Sequence, residues 1–118
     1  MTEEKKEELA NSFGDQFEEA PLTLSIPAEE FQMFERGIYA TDMDEKWNVF
    51  IWENQVVWTR SWTDYCIFKI DFERFENNVQ LTKLMVTRDS EKYKSIDLER
   101  DISIFLRVLD FYKRENSK

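Results

Sequence analysis

The segment from residue 47 to residue 72 constrains the fold most, because it contains all four tryptophans and is dense in aromatic and β-branched side chains. These residue types favour the pleated, half-buried surface of a β-sheet. Polar stretches interrupt the segment at residues 53–55 and 63–64, where they indicate turns between strands. The segment therefore predicts three antiparallel strands, over residues 47–52, 56–62 and 65–73.

A fourth strand and a C-terminal helix complete the predicted core. Residues 79–87 form another β-prone run, and residues 97–114 carry apolar side chains at helical spacing. The helix is expected to pack on the sheet through a stripe formed by Leu98, Ile102, Phe105, Leu109 and Tyr112. A second apolar row beside this stripe needs another cover, either the N-terminal helices or a partner.

The N-terminal part of the chain is open to more than one interpretation. Residues 2–12 are either a short amphipathic helix or a frayed tail. Residues 22–26 alternate between apolar and polar side chains but lie between two prolines, which indicates a short edge strand or an extended arm. Pro27 suits the first turn of a helix that ends near Gly37.

Together these elements predict an α+β fold in a single domain over residues 1–118. We expect a four-stranded antiparallel meander sheet, a C-terminal helix packed on one face, and one or two short N-terminal helices. Residues 43–114 hold the sheet and the C-terminal helix, and residues 1–20 are a frayed helix or tail. In the third strand, the two-residue period predicts a shared, buried face for Cys66, Phe68, Ile70 and Phe72.

The charge balance narrows the class of partner. The chain has 16 Lys and Arg against 25 Asp and Glu, and its formal net charge of -9 repels phosphate backbones and anionic lipids. We therefore expect no nucleic-acid or membrane partner, whereas the same field attracts a basic protein.

Without histidine and with one cysteine, the chain lacks the commonest general base and the usual zinc ligands. We expect no metal site, no cofactor and no enzymatic activity. The lone thiol and the polar N-terminus favour the cytoplasm.

Two segments carry a recognisable pattern, Arg-Ser-Trp-Thr-Asp-Tyr-Cys-Ile-Phe at residues 60–68 and Thr-Arg-Asp-Ser-Glu-Lys-Tyr-Lys-Ser at residues 87–95. They resemble an uncharacterised family of small bacterial domains with an Arg-Ser-Trp-Thr-Gly-x-Cys-Ile core and a following Arg-Asp-Pro-Glu-Gln-Tyr loop. The likeness covers about residues 43–114. This chain has Asp64 where the pattern has glycine, and Ser90 where it has proline. The resemblance implies a domain boundary and no particular activity.

Five residues near the ends of the predicted strands are candidates for a binding site: Arg60, Trp62, Tyr65, Arg88 and Tyr93. Gathered together, they would form an aromatic-lined pocket with two guanidinium groups, which suits a carboxylate or a phosphate. The other interpretation is structural. In that case the two arginines pair with nearby acids and hold the turns in place, and the candidate partners are Asp64, Asp71 and Asp89.

Acidic residues also bracket the aromatic strands, and the candidate binding residues among them are Asp42, Asp44, Glu45, Glu53 and Asp64. Negative charge beside aromatic anchors is typical of a protein that occludes a basic target. We therefore predict a non-catalytic protein-binding module, most concretely a bacterial immunity or antitoxin-type protein that covers a basic toxin domain. The alternative is a small-ligand binding or accessory domain whose pocket is formed by Arg60, Trp62, Arg88 and Tyr93.

Overall fold

The structure is a computed structural model that describes residues 1–41 and 46–116. Its helices and strands, in chain order, are α1 (Glu3–Asn11), β1 (Phe17–Pro27), α2 (Ala28–Arg36), β2 (Trp47–Trp52), β3 (Gln55–Arg60), β4 (Cys66–Arg74), β5 (Asn78–Thr87) and α3 (Leu98–Asn116). The α+β class, the antiparallel sheet and the C-terminal helix are as predicted.

The strands form one sheet in the order β1-β5-β4-β3-β2, with every neighbouring pair antiparallel. The four-stranded meander expected from the sequence is present as β2 to β5. The predicted strand number was nevertheless wrong, because β1 adds a fifth strand along the outer edge of β5.

The edge strand β1 is longer than the predicted residues 22–26, because it begins at Phe17. The sequence did not indicate a strand over this first half. Glu18 and Glu19 have low β propensity, but each pairs with a basic side chain that lies in β5 or directly after it. Arg88 bonds Glu18, and Lys83 Nζ lies 3.3 Å from Glu19 Oε2. The tertiary partners of these acids therefore decide the local structure.

Two helices cover one face of the sheet and a single helix covers part of the other. Helices α2 and α3 contact each other and pack on a first core cluster, which includes Phe31, Phe34, Trp58, Phe68 and Phe105. Helix α1 packs on a second core cluster, made of Leu9, Ala10, Phe13, Phe50, Val57, Cys66 and Met85. The helical alternative for residues 2–12 is therefore the correct one. The helix predicted to end near Gly37 is α2, which contacts α3. The predicted number of N-terminal helices was wrong, because only α1 precedes the first strand of the sheet and α2 follows β1.

The apolar stripe of α3 faces the sheet as predicted. Phe105 and Leu109 are buried in the first core cluster, and Leu98, Ile102 and Tyr112 pack partly against it. From the adjoining row, Val108 also packs on this cluster, whereas the Phe111 side chain is exposed.

A β-bulge in β4 moves Cys66 to the face opposite the one predicted. Thr59 pairs with Cys66 while the preceding Trp58 pairs with Phe68, so Ile67 is an extra residue in the ladder. Cys66 belongs to the second core cluster, whereas Phe68 and Ile67 belong to the first. The prediction that Cys66 shares a face with Phe68 was wrong because the bulge breaks the two-residue period.

Candidate functional site

The loop between β5 and α3 brings Arg88 and Tyr93 together. Asp89 organises this loop, since its backbone carbonyl accepts hydrogen bonds from the N–H groups of Lys92 (2.9 Å) and Tyr93 (3.0 Å). The resulting turn places the Tyr93 ring next to the end of β3, where Arg60 lies. Three of the predicted site residues therefore lie in one cluster.

A buried carboxylate that the sequence analysis missed lies at the centre of this cluster. Asp101, in the first turn of α3, is fully buried and accepts a 2.7 Å hydrogen bond from the Tyr93 hydroxyl. Its other oxygen lies 2.8 Å from Nη2 of Arg88. The signal was available, because residue 101 falls within the apolar stripe, three residues after Leu98 and four before Phe105.

Arg88 makes hydrogen bonds to several neighbouring groups. It donates from Nε to Glu18, from Nη1 to the carbonyls of Thr87 and Ser95, and from Nη2 to Asp101. Burial by itself would lower the pKa of Arg88, but the hydrogen bonds to Glu18 and Asp101 outweigh it and raise that pKa. Arg88 thus joins β1, β5, the loop and α3, and four of its five N–H donors are used.

Arg88 pairs with acids, as the structural interpretation predicted, but the structure shows Glu18 and Asp101 in this role instead of the three proposed acids. The three proposed acids form ion pairs with lysines, each with 3.5 Å between Oδ2 and the lysine Nζ. The pairs are Asp64 with Lys5, Asp71 with Lys83, and Asp89 with Lys92.

Arg60 has a different environment from Arg88. Its guanidinium carbon lies 4.7 Å from the ring centroid of Trp47 and 5.8 Å from that of Tyr93. Such contacts attract the cation to the π faces of the rings. The contacting rings belong to the adjacent strand β2 and to the loop between β5 and α3.

Tyr93 connects Arg60 to Asp101. Burial, together with the hydrogen bond to the Asp101 carboxylate, raises the pKa of Tyr93 to about 12. The phenol therefore stays protonated and serves as the donor to Asp101 at any ordinary pH.

The turn between β3 and β4 carries the other three predicted residues of this region. Trp62 is 65% exposed and Tyr65 is 39% exposed, and the ring of Tyr65 lies 5.9 Å from Nζ of Lys92. Asp64 adopts a positive φ of 62°, and its N–H donates a 2.9 Å hydrogen bond to the carbonyl of Arg60. The turn therefore presents two aromatic rings and one acid on the surface next to the Arg60 cluster.

The positive φ of Asp64 leads to a prediction about stability. We expect Asp64→Val to lower the free energy of unfolding by about 1–2 kcal/mol, because a β-branched residue is strained in the left-handed region. Asp64→Asn should change it by less than about 0.5 kcal/mol, since Asn tolerates this conformation. Urea denaturation measures the free energy of unfolding of both variants. If Asn cost as much as Val, the ion pair with Lys5 would be the more important role of Asp64.

The remaining predicted acids do not join this cluster. Glu53 lies in the tight turn between β2 and β3, with a φ of 57°. Because consecutive hairpin turns of a meander lie at opposite ends of the sheet, Glu53 is at the far end from Trp62. Asp42, Asp44 and Glu45 lie outside the described residues.

The described part of the chain shows neither a metal-binding cluster nor a membrane-spanning helix. Among residues 1–41 and 46–116, no three Cys, Asp or Glu side chains cluster closely enough to hold a metal ion. Over that same part, no helix is both long and apolar enough to cross a membrane. A narrow gap in the core, too small to hold a water molecule, is lined by Phe34, Val56, Trp58, Ile70, Leu81, Phe105 and Leu109. Its lining is apolar and does not include Arg60 or Arg88.

No protein-family model matches this chain, and neither a curated protein nor a solved structure matches it.

Proposed function

We propose that this protein is a non-catalytic binding module for a basic protein, most concretely an immunity-type protein of bacteria that occludes a basic toxin domain. The observation that carries the proposal is the β3–β4 turn, where a largely exposed Trp62 lies between Arg60 and Asp64 in a chain of net charge -9. Tryptophan and tyrosine are the side chains most often found at the energetic centre of protein interfaces.

The long-range charge and the local rings have separate roles in this proposal. The net negative charge accelerates the encounter with a basic surface, and this effect weakens as salt screens it. Trp62 and Tyr65 then supply the apolar area that holds the complex together, and Asp64, whose side chain is 50% exposed, adds an acceptor beside them.

The alternative, a pocket for a small ligand, has less support as first stated. It requires Arg60, Trp62, Arg88 and Tyr93 to present donors together, but four of the five N–H donors of Arg88 are used within the fold. Arg60 keeps that possibility.

The proposal predicts a large effect of truncating Trp62. We expect Trp62→Ala to weaken binding to the proposed basic toxin domain by about thirtyfold, because loss of a central interface tryptophan costs about 2 kcal/mol. Isothermal titration calorimetry with the co-expressed toxin domain measures the dissociation constant. The association rate should also fall steeply between low and high salt.

Phe75 provides the matched control. It is 56% exposed and lies in the turn between β4 and β5, at the opposite end of the sheet from Trp62. Phe75→Ala should leave the dissociation constant within about twofold, as is usual for a residue outside an interface. Equal effects of the two substitutions, or no complex at low salt, would contradict the proposal.

A further inference from the structure

Arg60 differs from Arg88 in what its donors reach. Arg88 bonds two carboxylates and two carbonyls. For Arg60, by contrast, the contacts of the side chain within residues 1–41 and 46–116 are those with the rings of Trp47 and Tyr93, and no hydrogen bond or ion pair engages its guanidinium there.

This lack of acceptors is unusual for the position. Arg60 is half-buried at the end of β3, where lost hydration is normally compensated by hydrogen bonds. Contact with a ring satisfies the flat face of a guanidinium, but the N–H groups point outward in its plane. The two rings therefore hold the cation in position and leave its hydrogen-bonding edge for another molecule.

The second ring is itself fixed, which makes the arrangement rigid. The Tyr93 hydroxyl donates to Asp101, and Asp101 is bonded to Arg88. A guanidinium whose orientation is fixed in advance loses less rotational freedom on binding than one on a mobile side chain. The hydrogen bond from Tyr93 to Asp101 thus fixes the Tyr93 ring, and this ring in turn holds the Arg60 guanidinium.

We propose that Arg60 binds a carboxylate through the in-plane edge of its guanidinium. The planar fork of donors matches the two oxygens of a carboxylate in a bidentate pair. A net charge of -9 disfavours ligands with several negative charges, such as phosphate dianions, more than it disfavours a single carboxylate. This site goes beyond the proposed function, because the carboxylate can belong to a small molecule or to a peptide C-terminus.

Arginine side-chain NMR tests the proposal directly. Sodium acetate is titrated into the full chain at constant ionic strength, with sodium chloride as the balancing salt, and the Nε–Hε signals are followed. We expect the Arg60 signal to shift and saturate, while those of the engaged Arg88 and the exposed Arg100 stay in place. Inorganic phosphate at the same ionic strength should bind several-fold more weakly. An Arg60 signal that ignores acetate, or that moves no more than that of Arg100, would overturn the proposal.

A second pair of measurements separates recognition from simple charge. Arg60→Lys keeps the positive charge and most of the stem but loses the fork, so acetate affinity, read from the Trp47 indole signal, should fall about tenfold. Triglycine should shift the wild-type Arg60 signal, whereas triglycine amide should not. Equal responses to the acid and the amide would show that no carboxylate is recognised. These results do not depend on a toxin partner, so either proposal can fail without the other.

Discussion

Replacing Asp101 by alanine is expected to lower the free energy of unfolding by about 3–5 kcal/mol, the cost typical of removing one partner from a buried ion pair. The carboxylate is fully buried, and its loss leaves Nη2 of Arg88 and the Tyr93 hydroxyl without their acceptor. Because these bonds join α3 to the β5–α3 loop, the whole domain should be affected. Urea denaturation should show a lower midpoint with an unchanged slope.

Glu18 offers the matched control on the same arginine. Its carboxylate also pairs with Arg88, but its side chain is 49% exposed, against 0% for Asp101. Glu18→Gln should therefore cost less than about 1 kcal/mol, as is usual for an exposed pair. A double-mutant cycle between Asp101→Ala and Tyr93→Phe should show positive coupling, since the two groups share a hydrogen bond. If Asp101→Ala cost no more than Glu18→Gln, the buried network would not be the element that stabilises this end of α3.

The strands of the meander could be predicted because their signals are local. The segment from residue 47 to residue 87 combines β-prone side chains with short polar turns, and the observed strands agree with the predicted ones to within two residues at each end. Helix α3 was predictable for a similar reason, since its apolar stripe repeats at helical spacing.

The features that the sequence did not reveal depend on partners distant along the chain. Glu18 and Glu19 pair with Val86 and Met85 in the β1–β5 ladder, and their side chains form ion pairs with Arg88 and Lys83. The bulge at Ile67 arises from the pairing between β3 and β4, and no pattern within β4 alone indicates it.

The candidate site shows the same division. Arg60, Arg88 and Tyr93 were chosen correctly as neighbours, because the ends of adjacent strands and the loop that follows them meet in space. Their roles could not be assigned, since these depend on Asp101, which belongs to a different element. An acid inside an otherwise apolar helical stripe is the sequence signal for such a buried partner, and here it is found at residue 101.

Raising the pH from 9 to 12 is expected to remove about 3 kcal/mol of stability through Cys66 alone. Burial raises the pKa of this thiol from 9.0 to about 12, because the buried site disfavours the thiolate. Below pH 9 the thiol is protonated in both the folded and the unfolded chain, so the full stability is present. Between pH 9 and pH 12 only the unfolded chain releases the proton, and stability falls as the pH rises. Tyr93, half-buried with its pKa raised to about 12, adds a smaller decrease above pH 10.

Two substitutions in the second core cluster distinguish this titration from general alkaline damage. Cys66→Ala removes the titrating group, so its free energy of unfolding, measured by urea denaturation under reducing conditions, should fall less steeply by about 1.4 kcal/mol per pH unit. Val57→Ala, in the same cluster, keeps the thiol and should lower stability equally at every pH. Parallel curves for the wild type and Cys66→Ala would mean that the thiolate forms as readily in the folded chain as in the unfolded one, which a side chain with no solvent exposure should prevent.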